Sequence, residues 1–176
     1  MRDEQAFIAL YRQHQRGLYR FVYHMTGNAH TAEEVVQEAF VTLLRKSVTL
    51  LGKSGMTDER AYLFGIARNL VHRGWESAPA LELSDEIPVA PAVLDDLAQA
   101  EREEAVRVAI GQLPQVYREA VLLCDMEEMS YTEAARILKC PVGTVRSRLN
   151  RGRQILVERL RSRFADQYPL VEKRSV

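Results

Sequence analysis

Cysteine is scarce in this chain: Cys124 and Cys140 are the whole supply. Two thiols cannot complete the four-ligand shell of a structural zinc site, nor build the disulfide framework of a small secreted domain. The four histidines, His14, His24, His30 and His72, all lie in the other half of the chain and show no HxxxH spacing. No metal, no cofactor and two idle thiols in a reducing compartment are therefore expected. Long apolar runs are missing too; none approaches the roughly 20 residues a membrane-spanning helix needs. Met1-Arg2-Asp3-Glu4-Gln5 opens on charge with no apolar stretch behind it, so neither a secretory signal nor membrane insertion is expected. A phosphate-binding glycine loop, a nucleophile elbow and a metal-ligand helix are likewise lacking, which leaves an enzyme without a motif to rest on. The expectation is a cytoplasmic protein without catalytic activity.

Net charge is also absent, with 24 basic against 24 acidic residues, but the balance hides an asymmetry. Glu76 to Glu104 holds nine carboxylates and one arginine, Arg102; Arg136 to Arg163 holds nine basic residues and one carboxylate, Glu158. A basic block this compact points to a polyanion partner rather than to an ordinary solvated face. The hydrophobic fraction of 47% excludes wholesale disorder. At 176 residues the chain admits two small domains, each with one modest helical core.

Almost every segment repeats at helical period, and no strand pattern emerges. Phe7, Tyr11, Leu18, Phe21, Val22 and Met25 form one apolar stripe, which Gly27-Asn28 breaks. Thr31 and Glu34 have the spacing of a capping box. The helix they open turns Val35, Val36, Ala39, Phe40, Leu43 and Leu44 inward, with Glu34, Gln37, Glu38 and Arg45 on other faces. Residues 47–57, rich in glycine and hydroxyls, read as a loop. A third helix over about 58–75 repeats Tyr62, Leu63, Ile66, Leu70 and Val71, with Trp75 as an anchor at the domain edge. Residues 77–91, with Pro79, Pro88 and Pro91, read as a linker. A helix over about 93–112 follows, then one opened by Leu113-Pro114 and running to about Asp125. Ser130 and Glu133 form a second capping box before a brief helix ending near Leu138. After the turn Lys139-Cys140-Pro141 a long basic helix begins near Val142.

Two short helices joined by a tight turn, the second strongly basic, describe a helix-turn-helix. Ala134, Ala135, Ile137 and Leu138 are placed to pack on Val142, Val145 and Leu149. That leaves Arg146, Ser147, Asn150 and Arg151 along the opposite side. Arginine and asparagine make bidentate bonds to guanine and adenine edges. Gly143 and Thr144 open the helix where a phosphate approaches its amino end. Arg148 and Arg153 sit at the flanks, suited to phosphates.

These stretches carry a resemblance to one family. Gly111 to Ala120 (GQLPQVYREA), Met129 to Ala135 (MSYTEAA) and Cys140 to Leu149 (CPVGTVRSRL) resemble region four of the extracytoplasmic-function sigma factors of RNA polymerase. Ala32 to Phe40 (AEEVVQEAF) resembles region two, and Tyr62-Leu63 with Ile66 to Leu70 (IARNL) the segment after it. The resemblance covers about residues 5–75 and 95–162. It implies an all-α fold of two small helical domains, a region-two bundle over 1–76 and a region-four helix-turn-helix domain over 95–165. A flexible acidic linker over 77–94 would join them, with a tail over 166–176.

It implies core RNA polymerase and promoter DNA as partners, with an anti-sigma protein in control. Glu34, Gln37 and Glu38 stand where the family docks on the polymerase clamp. Arg68, Asn69 and Arg73, with the loop before them, stand where it takes the melted minus-10 strand. Gly143, Thr144, Arg146, Ser147, Arg148, Asn150 and Arg151 stand where it reads the minus-35 element. Tyr62 occupies a usual tryptophan position, and only His72 and Arg73 follow where the family clusters arginines. The acidic segment is expected to thread the polymerase towards the RNA channel and, in the free protein, to lie against the basic helix; the alternative is a solvated tether. The alternative function is a helix-turn-helix regulator that binds its operator without polymerase, as a symmetric dimer.

Overall fold

The computed structural model describes residues 2–50, 59–77 and 94–164. Among the described residues there are seven α-helices and no strand. They are α1 (Arg2–Thr26), α2 (Ala29–Leu50), α3 (Glu59–Ser77), α4 (Leu94–Gly111), α5 (Gln115–Val121), α6 (Tyr131–Leu138) and α7 (Val142–Phe164). Helix α5 runs straight into a π-turn, Leu122–Met126. The all-helical expectation holds. Most of the acidic segment and of the hydroxyl-rich loop lies outside the described residues.

The first three helices bury the stripes that their periodicity announced. Leu18, Phe21, Val22 and Met25 of α1 meet Val36, Ala39, Phe40 and Leu43 of α2, and Leu63, Phe64, Ala67 and Val71 of α3. Each such fully buried side chain contributes about 1.5–3 kcal/mol. The rings of Phe21 and Phe64 lie 5.4 Å apart, and Tyr11 leans on Phe40 at 4.8 Å. Trp75 is half-buried at the end of α3, its ring 5.5 Å from His72, in keeping with an edge anchor.

Three details differ from the sequence reading. The cap of α2 is Asn28, whose Oδ1 accepts from the Thr31 amide at 2.9 Å; Thr31 lies inside the helix, because the turn at Gly27 (φ 69°) already starts it. Leu44 is 39% exposed, since Leu43, about 100° round the helix, takes the core position. Ser47 to Leu50 continue α2 instead of opening a loop.

In the second half α5 and α7 cross at Gly152, where an added Cβ would come within 2.7 Å of Val121 Cγ2 and 3.4 Å of the Tyr117 carbonyl. Helix α4 lies on α7, with Arg159 donating to the Ala109 carbonyl at 3.4 Å. One buried apolar cluster runs without a break through both halves. Arg118, itself largely buried, ties them by donating to the Met25 carbonyl at the end of α1 and to the Leu113 carbonyl, both at 3.0 Å.

His24 sits at this junction. Burial first, then the nearby Arg107 and Arg20, pulls its imidazole down to about 4. An unfolded histidine titrates near 6.5, so between those values the unfolded chain holds a proton that the folded chain refuses. Stability is therefore lost as pH falls through that window, by up to about 3 kcal/mol. Urea midpoints at pH 7 and pH 4.5 should lie closer together in His24→Gln than in the parent; an equal acid loss in both would assign the titration elsewhere.

Candidate nucleic-acid interface

Helix α6 begins with its backbone donors satisfied. Ser130 Oγ accepts from the Glu133 amide at 3.2 Å, and the Glu133 carboxylate accepts from the Ser130 amide at 2.8 Å. Ser130 Oγ also donates to this carboxylate at 2.6 Å, and that bond, with the one from the Ser130 amide, holds the Glu133 carboxyl below the usual carboxylate range. The helix stops at Lys139, a left-handed residue (φ 52°, ψ 46°), and the next amide, of Cys140, returns to the Ala135 carbonyl at 3.1 Å. Pro141 then starts α7 by accepting from the Thr144 amide at 2.9 Å and the Val145 amide at 3.2 Å. Ala134, Ile137 and Leu138 are buried with Val145 and Leu149, which sets the angle between the two helices. Val142, expected in that contact, is 38% exposed at the first turn of α7, and Ala135 is half-buried.

On the far side of α7, Gly143, Arg146, Ser147, Asn150 and Arg151 are exposed, and Thr144 and Arg148 are half-buried. Arg146 lies over the Tyr131 ring at 5.9 Å, which steadies its guanidinium beside the start of α6. Ser147 Oγ donates to the Thr144 carbonyl at 3.0 Å. Arg148 turns towards the helix-turn, 3.9 Å from Cys140 Sγ. Arg153 forms a two-pronged pair with Asp125 of the π-turn at 2.5 and 3.0 Å, which pushes its own pKa up. Cys124 is no nucleophile here: burial raises its thiol to about 11.

The expected minus-10 residues are divided. Asn69 and Arg73 are exposed on α3, whereas Arg68 turns inward and its Nη2 lies 3.1 Å from Glu119 of α5. Glu34, Gln37 and Glu38 share one exposed face of α2, with His30 3.4 Å from Glu34 and Arg45 4.0 Å from Glu38.

Sequence reasoning missed the polar junction between the halves. Glu119 is 1% exposed and accepts from His72 Nε2 at 2.5 Å and Gln115 Nε2 at 3.3 Å as well as pairing with Arg68. Glu127, 4% exposed, just past the π-turn, meets Arg20 Nε at 2.8 Å and Arg60 Nη2 at 3.6 Å. Burial pushes the Glu127 carboxyl up further than these two arginines pull it down. Its carboxylate fills the space left by Gly17 in the middle of α1, which any Cβ would overlap. A glycine inside an otherwise regular helix was the one signal available for this contact.

A three-helix bundle joined to a helix-turn-helix with an exposed arginine and asparagine face defines a two-part, all-helical, nucleic-acid-binding protein. The model for sigma-70 region 2 matches residues 10–78, and that for sigma-70, region 4, matches residues 103–156. The chain is 32% identical over 173 residues to the ECF RNA polymerase sigma factor SigW of Bacillus subtilis, covering 90% of this chain and 91% of that protein. It is 36% identical over 154 residues to the ECF RNA polymerase sigma factor SigE of Mycolicibacterium smegmatis, covering 84% of this chain but only 58% of that protein. The sigma factor RpoE of Bartonella quintana, solved in complex with the anti-sigma factor NepR, superposes with a TM-score of 0.69 at 26% identity, over 89% of this chain and 98% of that one. CnrH, solved in complex with the cytosolic domain of CnrY, shares the fold with a TM-score of 0.68 at 23% identity, over 90% of each chain. The chain belongs to the extracytoplasmic-function family of RNA polymerase sigma factors.

If the exposed side of α7 enters the major groove as expected, base reading is separable from phosphate contact. Asn150→Ala and Arg151→Ala should each cost about 1–3 kcal/mol at particular minus-35 bases and relax preference there. Arg148→Ala should weaken all sequences alike and reduce the salt slope by about one unit. Binding titrations over a panel of single-base variants at two salt concentrations tell the two apart; an altered base preference in Arg148→Ala would refute this docking of α7.

Proposed function

We propose that this chain directs core RNA polymerase to a specific set of promoters. In this reading 1–76 forms the domain for the polymerase and the minus-10 element, 95–165 the domain for the minus-35 element, and 77–94 the connection. The observation that carries it is the presence, on one chain, of both family regions together with an exposed Arg146, Asn150 and Arg151 face on the second helix of a helix-turn-helix. A regulator working without polymerase would need the second half alone. Gly143, Thr144, Ser147 and Arg148 complete the minus-35 surface, and Arg68, Asn69 and Arg73 serve the minus-10 strand. Glu34, Gln37 and Glu38, three acceptors on one exposed helix face, suit a basic helix of the polymerase.

The Bartonella quintana relative, solved in complex with the anti-sigma factor NepR, supports control by an anti-sigma partner. No helix among the described residues is long and apolar enough to cross a membrane, and work on polymerase and DNA belongs in the cytoplasm. The chain then acts by binding alone, with the chemistry left to the polymerase and no cofactor of its own.

Reversing charge at Glu34 and Glu38 to lysine tests the docking face. Both side chains are exposed, so folding should change by only a few tenths of a kcal/mol. Pull-down of core polymerase by the double variant should fail while its circular dichroism matches the parent; undiminished capture would remove α2 from the interface. Transcript start sites mapped after overexpression of the parent chain would then give the promoters.

A further inference from the structure

We propose that Tyr131, the first residue of α6, is a positioning residue for promoter reading: its ring holds the Arg146 guanidinium and so sets the preference at the base that Arg146 meets. This rests on the reading of α7 as the helix that enters the minus-35 element.

The ring is fixed by the protein itself. Just before it, Ser130 closes the capping box with Glu133, and the Ser130 carbonyl accepts from the Ala134 amide at 3.0 Å, so the backbone is tied on both sides of Tyr131. The side chain is half-buried and packs on the apolar cluster. Ala134, Ile137 and Leu138 of α6 are buried with Val145 and Leu149 of α7, which fixes one helix against the other. Arg146 follows Val145 directly, so the packing that buries Val145 also places the base of the Arg146 side chain beside the ring. Its guanidinium carbon then lies 5.9 Å from the ring centroid.

Other arginines of α7 are held in a different way. Arg148 points at Cys140 Sγ, Arg153 gives two N–H groups to Asp125, and Arg159 donates to the Ala109 carbonyl. Each of these contacts occupies hydrogen-bond donors. An aromatic face attracts the cation as a whole and leaves the donor fork open. Arg146 is thus steadied with its donors available for a guanine edge. Arg153 lies two turns further along the same side of α7, and its pairing with Asp125 leaves the ring to Arg146. A side chain already restricted in this way loses less freedom when a base binds it.

The test uses holoenzyme formed from the full-length chain and core polymerase, titrated on its mapped promoter and on single-base variants across the minus-35 element. Tyr131→Leu should weaken binding to the parental promoter about two- to fivefold, the range set by a cation–ring attraction at an exposed site. It should flatten preference at one position only, the position that Arg146→Ala flattens. Tyr131→Phe keeps the ring and should match the parent across the whole panel. In the Arg146→Ala background, Tyr131→Leu should add nothing. Tyr131→Met, equally ringless and a good helix former, is measured alongside and decides if the leucine variant loses helical circular dichroism.

An equal loss at every sequence in the ringless variants, or a further loss on top of Arg146→Ala, would make the ring a packing element and overturn the proposal. Parental behaviour of both ringless variants would overturn it as well. A uniform loss in Tyr131→Phe would assign the hydroxyl to a phosphate instead of the ring to Arg146. If Arg146→Ala changed no preference while Asn150→Ala did, the reading of α7 would stand and the role of Tyr131 would not. A parent with no base preference anywhere in the minus-35 element would sink the reading of α7, and the positioning role with it.

Discussion

Burying a carboxylate is costly unless cations and hydrogen bonds replace its water, and here two carboxylates are buried in one junction. Glu119 meets that requirement with Arg68 and His72 of α3, and Glu127 with Arg20 of α1 and Arg60 of α3. The angle at which α5 meets the first three helices follows from it, because Glu119 must reach Arg68 while its neighbour Arg118 reaches back to the Met25 carbonyl. These consecutive residues of α5 point opposite charges at different partners. The apolar cluster that runs through both halves fills the space this arrangement leaves.

The helices themselves were legible because their determinants are local. Apolar spacing on α1 to α3, the Ser130–Glu133 capping box and the Lys139-Cys140-Pro141 turn each act within one or two helical turns, and each appears where its residues place it. Errors fell at single positions where two neighbours compete for one role, as Leu43 and Leu44 compete for the core and Asn28 and Thr31 for the cap. The exposed side of α7 was equally legible, since Val145 and Leu149 fix which face is buried.

What could not be read was anything needing knowledge of which residues face each other across about a hundred positions of sequence. Arg20 and Glu127 are 107 residues apart, and nothing local to either announces the other. Arg68 was assigned to DNA from its place in a motif, and its pairing with Glu119 follows from tertiary packing alone. Glu119 itself lies inside the GQLPQVYREA stretch, where nothing local marks it as buried. A carboxylate on the apolar side of a short helix is a signal only once its helix has been given a neighbour.

The π-turn at Leu122–Met126 carries a consequence for how this stretch of chain tolerates change in length. A π-turn is a helix with one residue more per turn than the regular ladder, so it rotates everything after it by about 100° relative to an uninterrupted α-helix. Asp125 inside the turn holds Arg153 of α7, and Glu127 just beyond it holds Arg20 and Arg60 of the first half. Both aims depend on that single extra residue. The spacing between Pro114 and Ser130 is thus a measured distance in this molecule: loss of one residue would swing both carboxylates away from their arginines together, whereas conservative replacement of the apolar residues within the turn would leave both in register.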